Sequence, residues 1–454
     1  MTMSQSLTVL IQSLAIFSCL LLLGTFLRAK VRFFQKYFIP SCVIGGFIGL
    51  ILGPNVLGLL PISDAVMSTA SALPGILIVL ILASTPMCTS SFGGSGKQKD
   101  VLVLALIVCF MPFVQFALGL LVNVICTGFG IETFKTLGLD MAMGFMGGHG
   151  MAASLGSSLQ AAGDMNWEVA QGMAVTTATI GMIGGIIIGT FLINAAARKG
   201  QATCIKEGKG LSREWQVGLY AKDAQRPSMG PQTTVSNSIE TLSLHFGLIL
   251  MASGGGYMLM KLISLLHNSM LSAMATWFYA MVVMFILWTL IRKLKLDYLF
   301  DETVKNKLTG FLSDYLIVAA ILSIPVKIVA SYWLPLVFEC VLGLIATPIL
   351  NWYLCKRLLR NNWFESSLGT LGSNTGVFVT GMLLIKMADP DLKTSALNNY
   401  SLGYTLASFV IMPIISFVIM FTYTKGALLC MLLNIVMAII TLGIMMGVGH
   451  KQRS

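Results

Sequence analysis

Apolar runs long enough to cross a membrane recur through this sequence, at about 7–27, 38–60, 73–92, 101–125, 169–195, 239–263, 269–291, 311–333, 335–355, 396–423 and 427–447. A helix rises 1.5 Å per residue, so a run of roughly 20 residues covers the roughly 30 Å of hydrocarbon in a bilayer. Helices also satisfy their own main-chain N–H and C=O groups where no water can do so. The chain is therefore expected to be an all-α polytopic membrane protein, and 56% hydrophobic against 10% charged residues agrees with that. The longest polar interval, 198–237, is rich in Gly, Lys, Arg and Gln and reads as a loop.

A net charge of +11 would raise nucleic-acid binding in a soluble protein. Here the Lys and Arg residues fall in the gaps between apolar runs, where topology accounts for them and no nucleic-acid partner is expected. The first run has no basic residue before it and Arg28, Lys30, Arg32 and Lys36 after it. That is the reverse of a secretory signal, so a retained first helix with its N-terminus outside is expected. If every run crosses once, this cluster, Lys97 with Lys99, the central loop, 292–307, 355–360 and 450–454 all fall inside. Only Lys135, Lys261, Lys327 and Lys425 fall on or toward the outside.

Two glycine-rich stretches, about 140–163 and 365–386, are left over. Counting either as a full crossing would put the basic clusters after it on the wrong face. Each is therefore expected to enter and leave on one side, as a re-entrant hairpin. Five runs, with such a stretch before the fifth, precede the central loop and another five follow it; because five is odd, the second copy must be inverted. The expected organisation is two inverted five-span repeats over 1–197 and 238–424, a cytoplasmic loop over 198–237, and an extra C-terminal span with a basic tail over 425–454. The first hairpin would dip in from outside and the second from inside. Broken, glycine-rich segments at matching positions of inverted repeats point to a secondary transporter with its site where they meet.

The chemistry of the two stretches fits an anion. Gly147, Gly148, His149 and Gly150 can form a tight hairpin tip, and "MAASLGSS" (151–158) can begin a half-helix whose free N–H groups point at it. Ser154, Ser157 and Ser158 add hydroxyls one turn on. "SSLGTLGSNTGVFVTG" (366–381) repeats the pattern, with Gly369, Gly372 and Gly376 around Ser373, Asn374 and Thr375. Substrate contacts are expected from Gly147, Gly148, His149, Gly150, Ser154, Ser373, Asn374 and Thr375. Glycines in membrane helices also serve as packing seams, and Gly254 in "SGGGY" (253–257) is assigned to that role. Two stretches equivalently placed, each also rich in Ser, Thr or Asn, favour a site.

His149 fits two roles, a proton carrier or substrate ligand, and a neutral histidine bonded to hairpin carbonyls. Ser157, Asp314 and Glu339 are the candidates for ion coupling, while Asp140, Asp164 and Glu240 near the ends of spans read as interfacial. Sodium can also be held by carbonyls and hydroxyls alone. The nine scattered cysteines never form CxxC and read as buried small hydrophobes, so no metal site is assigned from them. A membrane-embedded transferase using His149 as base lacks a nearby Asp or Glu to orient the imidazole and any cofactor motif. A passive channel would also use re-entrant loops. A carrier, not an enzyme, is expected.

"FQKYFIPSCVIGGFIGLILG" (34–53) followed by "MGGHGMAASLGSS" (146–158) resembles the sodium/glutamate symporter family. Tyr37, Ile39, Pro40, Gly45, Gly46, Gly147, Gly148, His149 and Gly150 carry the match, and "GGIIIGTFLINAAARKG" (184–200) is similar to the family's glycine-rich fifth span. The resemblance takes in the first ten spans and both hairpins. Its second hairpin departs from the family's Gly-His-Cys-Gly type, Ser41 stands where the family usually has Glu, and 427–447 is an addition to the family's ten spans. The resemblance implies sodium-driven uptake of L-glutamate across a bacterial inner (cytoplasmic) membrane, without a cofactor beyond Na+. It also implies a homodimer in which a transport part moves against a static scaffold. A sodium- or proton-coupled carrier of another carboxylate or amino acid on the same scaffold is the alternative.

Overall fold

The computed structural model describes residues 3–88, 98–198, 213–224, 226–265, 275–389 and 393–453. All regular structure among them is helical. The long helices are α1 (Met3–Lys30), α2 (Ser41–Leu52), α3 (Asp64–Ala83), α4 (Gln98–Gly128), α5 (Leu139–Ala161), α6 (Trp167–Arg198), α7 (Thr241–Ser264), α8 (Thr276–Lys293), α9 (Glu302–Leu322), α10 (Trp333–Leu358), α11 (Trp363–Thr375), α12 (Phe378–Ala388), α13 (Ala396–Lys425) and α14 (Ala427–Arg453). Much of the central polar interval and of the loop between α7 and α8 lies outside the described residues.

Nine of the described helices are long and apolar enough to cross a membrane: α1, α3, α4, α6, α7, α8, α10, α13 and α14. This makes the chain a multi-pass membrane protein. The runs at 38–60 and 311–333 take a different form from the single spans expected. The first is a helix of 12 residues that stops where Gly53 and Pro54 follow Leu52. The second begins nine residues early, at Glu302, where the Asp301 carboxylate accepts from Thr303 N and Val304 N. It ends at Leu322, ahead of Pro325, whose ring cannot sit inside a helix without a lost hydrogen bond. These two shorter helices pack together, and Asn55 Nδ2 donates to Ile324 O at 3.0 Å, tying their ends.

The helices pack in two groups. The α1, α2, α3, α7, α8 and α9 helices lie mainly against one another, and so do α4, α5, α6, α10, α11, α12, α13 and α14. The groups meet chiefly where α3 and α9 lie against α5. Among the polar links across that boundary, Trp277 Nε1 on α8 donates to Ser158 Oγ on α5 at 3.2 Å. Buried apolar side chains such as Phe116, Phe145, Leu139 and Met173 fill the second group, which holds the broken helices. The SGGGY run corrects one expectation. A Cβ at Gly254 would meet nothing within 4 Å, whereas one at Gly256 would lie 2.5 Å from the main chain of Ala280 on α8. Gly256, with Gly255 against Val283, packs in that run, and Gly254 faces out of the α7–α8 contact.

Candidate functional site

The α5 helix is interrupted at Gly148, which has φ 60° and ψ −152°. That region is cheap only for glycine, so one residue of the GGHG sequence supplies the break. Its contacts along α6 advance and then retreat. Asp140 O accepts from Thr177 Oγ1, Phe145 lies against Gly181, His149 bonds Thr179, and Gly156 lies against Gln171. The second break falls at Gly376 and Val377, which are extended between α11 and α12. Those two half-helices run back along each other, with Gly372 packed on Gly381 and Gly369 near Ile385.

The two breaks touch. A Cβ built on Gly148 would lie 2.8 Å from Cγ1 of Val377 and 3.8 Å from O of Gly376. Each break starts a new helix, at His149 and at Phe378, so two helix N-termini meet, the first buried and the second half-buried at Val377 and Phe378. The α6 helix backs the meeting point, where Gly181 and Gly185 leave room for Thr375.

Gly148 is thus brought to the end of the second stretch at Gly376 and Val377, while the hydroxyls expected at the site turn to their own helices. The hydroxyl hydrogens of Ser154, Ser157 and Ser158 go to carbonyls on their own helix, at Met151 O, Ser154 O and Ser154 O. Ser373 Oγ and Thr375 Oγ1 likewise donate to Thr370 O and Leu371 O. A hydroxyl mid-helix finds the carbonyl one turn back more easily than a distant partner. Gly372 is not at the tip: it lies within α11, where its small size admits Gly381.

His149 is buried, and its Nε2 lies 3.0 Å from Thr179 Oγ1 on α6 rather than on hairpin carbonyls. Thr179 gives its own hydrogen to Val175 O, so the Nε2–H of His149 is the donor in that pair. Of the ion-coupling candidates, Ser157 packs on Gly75 of α3 and Asp314 faces Cys42 within the first helix group. Glu339 on α10 faces Asp140 at the start of α5.

Asp140, read as interfacial, is enclosed by protein, being 1% exposed. The cause is the turn before it. Gly138, at φ 99°, packs main chain to main chain on Gly119 of α4, so α5 begins inside the bundle. Its N–H donates to Asp140 Oδ1 at 2.9 Å.

Sequence reasoning also missed Gln115, Thr347 and Asn351, buried polar residues within the long apolar runs of α4 and α10. Polar side chains inside a span were the available signal. Among the described residues no group of three or more His, Cys, Asp or Glu is placed to hold a metal ion, and the described cysteines are unpaired.

Long apolar helices surrounding two interrupted ones whose breaks meet in the interior define a polytopic membrane protein of the transporter class. The chain belongs to the sodium/glutamate symporter family, which it matches over residues 7–363. It is 27% identical over 248 residues to a sodium/glutamate symporter of Haemophilus influenzae, an alignment covering 51% of this chain and 54% of that protein. The chain thus spans about half the length of the curated relative it matches. The family match ends at Trp363, where α11 begins, so the second break rests on geometry alone.

Proposed function

We propose that this protein is a secondary carrier of a bacterial inner membrane that imports L-glutamate with Na+. The observation that carries this reading is the contact of the two helix breaks at Gly148 and Val377. Two helix N-termini that meet suit a carboxylate, because a helix N-terminus presents N–H groups and the positive end of a dipole. Family membership supplies glutamate and sodium as the substrate and ion to test first.

In this reading α5, and α11 with α12, are re-entrant hairpins. The contacts of α5 that advance along α6 and then retreat support the first, and the antiparallel packing of Gly372 on Gly381 supports the second. The repeats of 1–197 and 238–424 are inverted copies flanking a cytoplasmic loop at 198–237, followed by the extra span of 425–454. Their support is that α1 to α3 group with α7 to α9, while α4 to α6 group with α10 to α13. The first group is the scaffold, through which two copies form a homodimer, and the second is the transport part.

Gly147, Gly148, His149 and Gly150 present the first tip to the substrate; Ser373, Asn374 and Thr375 shape the approach to the second. Ser154 acts by holding the Met151 carbonyl rather than by direct contact. Ser157, Asp314 and Glu339 remain candidates for ion coupling, and Glu339 is the strongest of them because Asp140 faces it.

The test is uptake of radiolabelled glutamate by proteoliposomes with and without an imposed Na+ gradient, at constant pH and potential. Concentrative uptake that disappears when K+ replaces Na+ is expected. Accumulation unchanged without Na+, and lost when a pH gradient is collapsed, would assign proton coupling instead. Competition by a panel of carboxylates and neutral amino acids identifies the substrate, which Ser41 and the altered second hairpin make worth measuring.

A further inference from the structure

The C-terminal end of α11 is rich in oxygen atoms and poor in hydrogens to give them. Gln115 Nε2, from the middle of α4, donates to Asn374 O at 2.7 Å and to Thr347 Oγ1 at 3.0 Å. Asn374 Nδ2 donates to Asn351 Oδ1 at 3.2 Å, and Asn351 Nδ2 donates to Thr347 O at 2.8 Å. Reversing the Gln115 amide would set its oxygen against the Asn374 carbonyl, so its partners fix its orientation. All four side chains are at most 1% exposed.

The other atom of two of these amides has no donor. Gln115 Oε1 and Asn374 Oδ1 are buried and meet no hydrogen-bonding group among the described residues. The main chain adds to them. The α11 helix ends at Thr375, and Val377 N, which would serve Ser373 O in a longer helix, turns instead to Thr380 Oγ1 at 3.4 Å. Buried acceptors without donors are costly, and more so inside a bilayer.

Uncharged oxygens at the negative end of a half-helix suit a small monovalent cation. A divalent ion would call for carboxylates, which this cluster lacks. We propose that Gln115 Oε1, Asn374 Oδ1 and the carbonyl of Ser373 form a Na+ site beside the meeting point of the two breaks; this rests on the sodium-coupled reading above. The site gives that reading a physical cause for coupling. One break then carries Na+ at the C-terminal end of α11 and faces the carboxylate with the N-terminal end of α12. Each ion lowers the cost of binding the other, and the effect is reciprocal.

The test is binding of radiolabelled Na+ alone to purified full-length protein, with K+ as control and without glutamate. Wild type should bind Na+. Gln115→Met, which keeps volume and removes the amide, should raise the dissociation constant about tenfold or more. Asn374→Asp keeps an oxygen and adds charge, so it should bind Na+ at least as tightly as wild type, a gain that damaged packing would not produce. No Na+ binding by wild type, wild-type affinity in folded Gln115→Met, or an Asn374→Asp loss as large as that of Gln115→Met would each overturn the site. Na+ binding that behaves as expected in a protein showing no sodium-dependent glutamate uptake would leave the site standing and sink the transport reading.

Discussion

The carboxyl groups of Asp140 and Glu339 face each other in the interior of the second helix group, and no donor among the described residues reaches Asp140 Oδ2 or either oxygen of Glu339. Cys126 on α4 and Cys340 beside Glu339 are the other titratable groups facing Glu339. An amide at either position supplies the missing donor. Glu339→Gln and Asp140→Asn are therefore expected to melt within a few degrees of wild type in detergent. Glu339→Ala leaves Asp140 without its partner and should cost about 1–3 kcal/mol. Equal melting temperatures for Glu339→Gln and Glu339→Ala would show that the pair contributes no bond.

Gly148 is the residue whose replacement should separate transport from folding. Valine there meets a positive φ and Cγ1 of Val377 at 2.8 Å, a strain on the order of 1–3 kcal/mol. Uptake by Gly148→Val should fall well below its expression level relative to wild type. Gly372→Val would press on the Gly381 main chain at 2.5 Å and separate the two half-helices, so both uptake and yield should fall. Gly254→Val meets open space and should behave as wild type, whereas Gly256→Val strikes Ala280 and should lower yield. Normal uptake by Gly148→Val would place the substrate elsewhere.

Much of this architecture was legible because membrane helices declare themselves by length and apolarity. Where that signal weakened, the reading erred in instructive ways. At 38–60 the apolar run continued past Gly53 and Pro54, which end α2, since hydropathy does not register a helix stop. At Asp140 the sequence position beside a loop gave no sign of enclosure, which follows from the Gly138 turn packing on Gly119, a contact between distant residues. The glycine clusters located both breaks, though only at Gly148 is the local cause a φ above zero, since Gly376 and Val377 have negative φ. Which glycine served the break and which served packing depended on neighbours from other helices, as with Gly148 and Gly372. The amide cluster was invisible for the same reason: Gln115, Asn351 and Asn374 come from three helices.

The orientation inferred from the basic residues is open to direct labelling. Ser63 and Ser228 are both exposed, ahead of α3 and in the central interval. Introduced singly as cysteine, the first should react with an impermeant thiol reagent in sealed right-side-out vesicles and the second only after the vesicles are opened. Equal labelling of both in sealed vesicles would reverse or break the topology, and the positions of both hairpins with it.

The ion count fixes how far the carrier can concentrate its substrate. A tenfold Na+ gradient is worth about 1.4 kcal/mol, and a potential of about 100 mV adds about 2.3 kcal/mol for each net charge moved. One Na+ with a monoanion moves no net charge and supports about tenfold accumulation from the gradient alone. A second cation brings both terms, roughly 3.7 kcal/mol, and multiplies accumulation several hundredfold. The amide cluster proposed at Asn374 would take one ion, and Glu339 beside Asp140 is the candidate for coupling a second. Steady-state accumulation in proteoliposomes is therefore expected to respond to an imposed potential in wild type. In Glu339→Gln the response to potential should vanish while the response to Na+ persists. A wild-type ratio indifferent to potential would leave the amide site as the sole coupling ion and assign the acid pair to structure.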